Sequence, residues 1–449
     1  SVSGIAGIYP VCNLESYPGL KKACGAFGLT EKELKADLEN HNPIDRLGGL
    51  AEAGVPVFHL HGDSDTLVPL KDNSAMVSSR YAELGGEMTL EIAQGQGHNM
   101  WSGWFESENL TKFVLSSLGR PLNQHPVPES DLWLTFSGGD GLEKRKHIVL
   151  VAADQEYRSE QSMPMLAGIL STYHGFDCTV LFSVDEKGDV NPTIPAPLKD
   201  DSGMTHHRIP GLQHLAKADC VILLTRFMQL PEGQLKLIHD YLDSGKPLIA
   251  LRTANHGFWR DFGYRKGDRK VSLREIFGGT FMGHHGGWHR ESTRGIIVPE
   301  NASHPILVGV KDVWGPSDVY RCHNENHPLP DDCLPLLLGQ PLVDLTQDAE
   351  PNLEKEALPI AWVKQWIGNQ GKESKIFHFT MGSAKDFESE GVRRAVVNAV
   401  YWGLGMVDAI AADSNVEPIG SYTPLKSGFN YDEIGVHPRK PRFFRPMAK

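Results

Sequence analysis

The chain has 449 residues, 40% hydrophobic and 22% charged, which is the composition of a globular protein large enough for two domains. Its formal net charge of −12 argues against nonspecific binding to nucleic acid or to an anionic membrane surface. No stretch is long and apolar enough to predict a membrane span, and the oligomeric state stays open.

The first 119 residues are predicted to form one domain. Three strands are predicted in it, at 2–9, 55–60 and 88–93. Asp65 follows the second strand and His98 follows the third, an order that fits the later members of a Ser–Asp–His triad. These residues resemble the C-terminal part of the α/β-hydrolase family, particularly its esterase and prolyl-oligopeptidase-like branch. The resemblance implies that Asp65 is the triad acid and His98 the triad base.

The sequence departs from that family at the nucleophile. A Gly-x-Ser-x-Gly elbow should precede the first strand, and neither Ser1 nor Ser3 lies in such a motif. We therefore interpret the domain as a truncated esterase-like half that lacks serine hydrolase activity by itself. A carboxylesterase that is active only with a missing N-terminal segment is an alternative. The compartment stays open, export or a periplasmic location included, because the start of the sequence looks like the inside of a domain.

Residues 120–143 are predicted to be a linker. They contain Pro121, Pro126 and Pro128, and three glycines follow close to the end of the segment. Such a composition, without apolar periodicity, is typical of a domain boundary.

Residues 144–409 are predicted to form the organising domain. Four strands are predicted in its first half, at 144–153, 177–182, 219–225 and 246–252, with helices at 162–173 and from Pro231. Further strands are predicted at 294–298, 306–310, 319–322, 360–363 and 375–379, before a closing helix at 390–403. Alternating strands and helices predict a doubly wound α/β domain with a parallel sheet.

Polar residues follow three of these strands. Because ligands bind outside the carboxyl ends of parallel strands, these residues should share one crevice. The candidates at the strand ends are Asp154, Glu156, Arg226, Arg252, Thr253, Asn255 and His256. A Gly-rich loop adds His284, His285, Trp288 and His289.

Several motifs of this domain occur together in one known family. They are the segments 230–235, 251–258, 277–281 and 379–387, with the pairs His284-His285 and His304-Pro305. As a set they resemble the trehalose-utilisation (ThuA-like) family. The resemblance implies a flavodoxin-like, class I glutamine amidotransferase-like fold and a role in carbohydrate metabolism.

The amidotransferase fold would place a nucleophilic Cys at the sharp turn after the strand 246–252. The turn reads Thr253-Ala254-Asn255-His256, without a thiol, so glutamine hydrolysis is not expected. The family often has Gly-His in the loop after its last strand, whereas this chain has Gly382-Ser383. No catalytic histidine is therefore carried over to that loop.

Three interpretations of the predicted crevice stay open. The first is a polyhydroxylated ligand, a small carbohydrate, bound by His, Arg and Asp side chains and Trp288. The second is Zn²⁺ or another divalent metal held by His256, His284 and His289, since neutral imidazole is a common ligand of such ions. The third is a hydrogen-bonded loop network without a ligand. Adjacent histidines in an extended segment point to opposite faces, so His284 and His285 should not both bind one ion.

Residues 410–449 are predicted to be an arm rich in Pro, Gly and aromatic residues that wraps over a domain surface, with disorder as the alternative.

For the whole chain, we expect a carbohydrate-metabolism protein whose ThuA-like domain binds or transforms a sugar or an oxidised sugar. Whether it is an enzyme stays open, with a hydrolase favoured by resemblance. A noncatalytic ligand-binding or scaffold module is the alternative.

Overall fold

The computed structural model describes residues 2–117, 125–138, 145–194, 207–259 and 262–446. The chain forms two compact units, Ser1–Gln124 and His125–Lys449, so the division falls inside the predicted linker. None of the described helices combines the length and the apolar character that crossing a bilayer requires.

The first unit contains a parallel sheet whose described strands have the order β1–β2–β3. The strands are β1 (Ile5–Ile8), β2 (Val57–Gly62) and β3 (Met88–Ala93). The helices are α1 (Leu20–Ala23), α2 (Glu31–Ala36), α3 (Gly48–Glu52), α4 (Ser74–Glu83) and α5 (Glu108–Ser117). Tyr81 of α4 packs with Val57 on one face of β2, and Trp104 packs with Phe58 on the other. All six residues of this central strand are buried, His59 and His61 among them, as expected for a strand covered on both faces.

The second unit is built on one large mixed sheet. Its strands in the first half are β4 (Trp133–Phe136), β5 (His147–Ala153), β6 (Asp177–Phe182), β7 (Cys220–Thr225), β8 (Leu248–Leu251), β9 (Arg265–Lys266) and β10 (Arg269–Lys270). The second half adds β11 (Thr293–Ile297), β12 (Trp314–Gly315), β13 (Cys333–Pro341), β14 (Leu358–Ile367) and β15 (Glu373–Phe379). Among the described residues the sheet order is β12-β11-β13-β14-β15-β8-β7-β5-β6-β4, and β9 pairs with β10 apart from it.

The centre of this sheet is parallel and covered on both faces. β15, β8, β7, β5 and β6 pair in parallel, and the strands outside them are antiparallel. The helices are α6 (Ser159–Thr172), α7 (Glu232–Asp243), α8 (Leu273–Phe277), α9 (Glu390–Gly403) and α10 (Tyr431–Ile434). α6 and α9 pack on one face, whereas α7 and α8 pack on the other. The fold is therefore α/β and doubly wound, as the alternating pattern predicts.

Several segments differ from the prediction. Trp133–Phe136 lies in the predicted linker but pairs with β6 as an antiparallel edge strand. Residues 306–310 were predicted to be a strand, but Pro305–Leu307 forms a 3-10 turn because proline fixes φ near the helical value. Residues 319–322 contribute only an isolated bridge at Tyr320. The strand Cys333–Pro341 was not predicted.

The chain order of the strands creates a switch point in the sheet. β5 is followed by β6 on one side and, after a return crossover, by β7 on the other side. The loops that leave β5 and β7 at their carboxyl ends therefore diverge, which is where α/β sheets bind ligands. Residues 154–156 and 226–227 are placed at this point.

The described part of the arm, residues 410–446, packs against the rest of the second unit. The Gly428 amide donates a hydrogen bond to the Glu156 carbonyl at 3.0 Å. The Arg445 guanidinium donates to the Thr135 carbonyl at 2.9 Å, and Arg439 forms a backbone bridge with Val190. The arm thus covers the switch point rather than leaving it open.

The packing of the central sheet predicts the cost of a cavity. Leu150 on β5 is fully buried between strand and helix layers, so Leu150→Ala should lower the free energy of unfolding of the second unit by about 2–5 kcal/mol. Leu353→Ala is the matched control, because that side chain is 88% exposed. Denaturant unfolding followed by circular dichroism measures both, and equal stabilities would contradict the packing described here.

Candidate functional site

Asp154 joins the turn after β5 to the turn after β8. One of its carboxylate oxygens, Oδ1, accepts the backbone amides of Glu156, at 2.6 Å, and Tyr157. The other, Oδ2, accepts the Thr253 hydroxyl at 2.6 Å. Since all of these groups are buried, Asp154 shapes the strand ends and presents no free oxygen to a ligand.

Glu156 connects two other candidates. Its Oε2 lies 3.1 Å from Arg226 Nε, and its Oε1 accepts the Trp288 indole N–H at 2.8 Å. Burial raises the pKa of Glu156, although the charge of Arg226 opposes that shift. Trp288 is nevertheless 39% exposed: its ring is held at one edge by Glu156, His289 stacks on one face, and part of the ring faces solvent.

The sharp turn after β8 is occupied by an arginine. Arg252 has a φ of 44°, the left-handed conformation that non-glycine residues rarely adopt. Its guanidinium is fully buried and lies 3.7 Å from the Tyr320 ring centroid and 4.6 Å from that of Tyr157. Its Nη1 donates to the carbonyls of Asp318, at 2.8 Å, and Thr380, at 2.9 Å. Arg252 is therefore an internal anchor and does not face a ligand.

Asp318 links this anchor to His284. Arg252 Nη2 donates to Asp318 Oδ1 at 2.9 Å, and His284 Nδ1 lies 2.7 Å from Asp318 Oδ2. The carboxylate is buried, whereas the His284 side chain is 37% exposed. Sequence reasoning missed Asp318, because it lies in an irregular loop 66 residues from Arg252 and shows no pattern that singles it out.

His256 is fixed by an amide. Its Nδ1 lies 2.7 Å from Asn255 Oδ1, and Asn255 Nδ2 lies 3.0 Å from Nε2 of the buried His378. His378 Nδ1 in turn lies 2.9 Å from the Ala250 carbonyl. Burial lowers the pKa of His256 well below its usual range, and the charges of Arg226 and Arg252 lower it further. His256 is therefore a neutral imidazole.

These side chains form a closed circuit of contacts, which we name the contact ring. Its members, in order, are His284, Trp288, Glu156, Arg226, Phe227, His256 and Phe281. Ring centroids lie 6.1 Å apart for His284–Trp288, 5.0 Å for Phe227–His256, 4.8 Å for His256–Phe281 and 5.1 Å for Phe281–His284. Glu156 and Arg226 close the remaining side, with Arg226 also 4.8 Å from the Phe227 ring. The predicted strand-end residues and the Gly-rich loop therefore meet in one place.

Two cavities lie beside the contact ring. One of about 580 Å³ is lined by Phe227, His256 and Trp259 among others. Another of about 330 Å³ is lined by residues that include His289, Asp318 and Lys426 of the arm. Both are large enough for a small organic ligand.

Two predicted histidines lie outside the contact ring. His285 Nε2 lies 2.8 Å from the Glu356 carbonyl, so it points away from its neighbour His284, as the alternation along an extended segment predicts. His289 stacks on Trp288 with centroids 3.9 Å apart. Among the described residues, no group of three or more His, Cys, Asp or Glu side chains is arranged to hold a metal ion.

The first unit brings its two predicted residues together. His98 Nδ1 lies 3.0 Å from Asp65 Oδ2, and the His98 ring is 4.3 Å from that of Tyr9. Asp65 Oδ1 accepts the backbone amides of Leu67 and Val68. Within residues 2–117, His98 Nε2 has no hydrogen-bond partner, so no serine hydroxyl contacts it there.

The buried imidazole below the site predicts a pH effect on stability. Burial lowers the pKa of His378 from 6.5 to about 3. Below pH 6.5 the unfolded chain binds a proton at this residue that the folded chain does not bind until the pH approaches 3. The second unit should therefore keep its full stability above pH 6.5 and lose stability as the pH falls from 6.5 toward 3.

Replacing the imidazole tests this assignment. His378→Asn keeps a donor for the Ala250 carbonyl but cannot be protonated, so the uptake of protons on unfolding between pH 4 and 6 should fall by about one per molecule. The exposed His437→Asn is the control. Unfolding midpoints measured across that pH range give the slope, and an unchanged slope in His378→Asn would contradict the assignment.

Residues 204–403 match the sequence model of the ThuA family, described as trehalose utilisation. No curated protein matches the sequence.

Solved structures similar to the chain include a ThuA-like protein from Parabacteroides merdae ATCC 43184, with 14% identity and a TM-score of 0.38, covering 67% of this chain and 99% of that one. Another is an exo-β-1,4-mannosidase from Opitutaceae bacterium strain TAV5, with 10% identity and a TM-score of 0.26, covering 82% of this chain and 55% of that one. On the family match, the second unit contains a ThuA-like domain.

Proposed function

We propose that the second unit binds a sugar or an oxidised sugar at the contact ring and transforms it. The description of the matching family, trehalose utilisation, supports the class of ligand. The observation that carries the proposal is the exposed ring of Trp288, fixed at its N–H by Glu156.

An immobilised, exposed indole suits a sugar for a physical reason. The C–H face of a pyranose is apolar and packs on an aromatic ring, whereas its hydroxyls need hydrogen-bond partners at the rim. Arg226 is connected to Trp288 through Glu156, and the His284 ring contacts the Trp288 ring directly. The neutral His256 adds an acceptor that stays uncharged over the physiological pH range.

Glutamine amidotransfer is not part of this proposal. The thiol nearest the turn after β8 is Cys322, whose Sγ lies 3.3 Å from Asn255 Nδ2. Burial raises the pKa of Cys322 to about 12, so it is a thiol at neutral pH and not a nucleophilic thiolate. The turn itself carries Arg252 and Thr253, and Thr253 donates its hydroxyl to Asp154.

Ligand binding should depend on Trp288. Trp288→Ala should weaken the binding of a sugar or a keto sugar by about tenfold, because it removes the aromatic ring on which the sugar stacks. Trp288→Phe should retain most of the affinity, because it keeps an aromatic ring at this position. Trp101→Ala, in the first unit, is the control, since Trp101 is 41% exposed. Isothermal titration calorimetry with a panel of neutral, keto and acid sugars measures the affinities. Equal binding by Trp288→Ala and the wild type would contradict the proposal.

A noncatalytic binding module is the alternative for this unit. An enzyme would change the bound sugar chemically, whereas a binding module would leave it unchanged. Mass spectrometry and NMR of a sugar incubated with the protein detect a product of transformation. Binding without any product would favour the module.

A second candidate function, carboxylesterase, is favoured by the 3.0 Å contact between Asp65 and His98. It ranks behind the first because the described part of the first unit brings no nucleophile to His98. We expect this chain to hydrolyse p-nitrophenyl acetate no faster than its His98→Ala variant, since a His–Asp pair without a serine lacks the acyl acceptor. A rate of p-nitrophenyl acetate hydrolysis at least tenfold lower in His98→Ala than in the unchanged chain would support esterase activity.

A further inference from the structure

We propose that His284 is a general base that removes a proton from the carbon next to the carbonyl group of an oxidised sugar. Arg226 is the donor to the enolate oxygen that develops, and Asp318 and Arg252 are positioning residues. This inference rests on the proposed function, because it requires an oxidised sugar at the contact ring.

The hydrogen bond of His284 selects its reactive nitrogen. Asp318 is acceptor-only as a carboxylate, so the proton of the neutral imidazole lies on Nδ1, 2.7 Å from Asp318 Oδ2. The lone pair is then on Nε2, which has no hydrogen-bond partner among the described residues. With 37% of the side chain exposed beside Trp288, this nitrogen can reach a ligand.

Asp318 is held in place by two contacts with Arg252. Its Oδ1 is bound by Arg252 Nη2 and its carbonyl by Arg252 Nη1, so both the side chain and the backbone of the residue are held by one guanidinium. Arg252 lies between the rings of Tyr157 and Tyr320. The carboxylate therefore keeps its orientation while His284 gains a positive charge, and it stabilises the imidazolium.

The opposite side of the contact ring supplies a donor for negative charge. Arg226 faces Glu156 through Nε and lies against the rings of Phe227 and Phe429. Its two terminal nitrogens form no hydrogen bond with the described residues, which leaves them free to donate to a ligand oxygen. A guanidinium beside apolar rings stabilises an enolate more strongly than water does.

The proposed step conserves atoms and electrons. The C–H bond breaks, its electron pair forms the carbon–carbon double bond of the enolate, and the carbonyl π pair moves onto oxygen beside Arg226. The proton forms the Nε2–H bond of His284. Its return to the same carbon regenerates the ketone, so exchange with solvent requires no oxidant, reductant or second substrate.

Solvent exchange tests the step with the whole 449-residue chain. Methyl 3-keto-α-D-glucopyranoside is incubated in D₂O with and without protein, and ¹H NMR follows the protons at the two carbons beside the carbonyl. The wild type should accelerate their replacement by deuterium, and His284→Gln should lower the acceleration by about 10²–10⁴-fold. Affinity for the same probe, measured by calorimetry, should fall far less than the exchange rate, because glutamine keeps a hydrogen-bonding group at this position. The exposed His327→Gln is the control and should exchange like the wild type.

The positioning role has its own readout. In Asp318→Asn the amide can donate to Nδ1, which moves the imidazole proton to Nε2, and ¹⁵N NMR of the His284 ring should show that tautomer change together with slower exchange. Circular dichroism reports whether this variant folds. If it does not, the His284→Gln result decides alone.

The outcomes separate the two proposals. Binding of the probe without protein-dependent exchange would contradict the role of His284 as a general base, while the proposal of sugar binding would stand. Exchange that is unchanged in His284→Gln would also overturn it. Absence of binding for every sugar of the panel would overturn the proposed function and this inference with it.

Discussion

A buried ion pair between Arg252 and Asp318 is the interaction on which the candidate site depends. The guanidinium reaches the loop that carries Asp318 and the Thr380 carbonyl after β15, so one side chain joins the ends of two neighbouring strands to an irregular loop. Two charges without access to water stabilise each other, and Arg252 Nη1 additionally donates to two backbone carbonyls, although Arg252 Nε has no partner among the described residues. The loop therefore has little freedom, and His284 takes its orientation from it.

The turn after β8 shows how one backbone geometry supports different chemistry. The resemblance to amidotransferases predicts a nucleophile at this turn, and the residue in the left-handed conformation there is Arg252. Its side chain points into the protein, where it fixes a carboxylate. A thiol at such a turn would attack a substrate, whereas a guanidinium can only organise charge around one. The strand end after β8 therefore offers no thiol nucleophile, and the residue that we propose as a base, His284, lies on the Gly-rich loop instead.

The sequence predicted the centre of the fold and the proximity of the polar residues at the strand ends. Continuous apolar runs identify β5 to β8, because strands buried on both faces require them. β4 and β13 were missed, since one lies in a Pro-rich segment and the other contains prolines and a glycine. The strand-end residues were expected to meet, and contacts such as Thr253–Asp154 and Arg226–Glu156 bring them together. Asp318 could not be predicted, because its role comes from a long-range contact and not from a local pattern.

Residues of the arm, and not only residues of the sheet, lie beside the candidate site. Lys426 lines a cavity beside the contact ring, and the Phe429 ring lies 5.0 Å from the Arg226 guanidinium, while the Gly428 backbone is hydrogen-bonded to residue 156. Substitutions in this short stretch alter the walls of the site without disturbing a single strand. The residues beside the contact ring can therefore differ between related chains while the sheet that carries the ring stays the same.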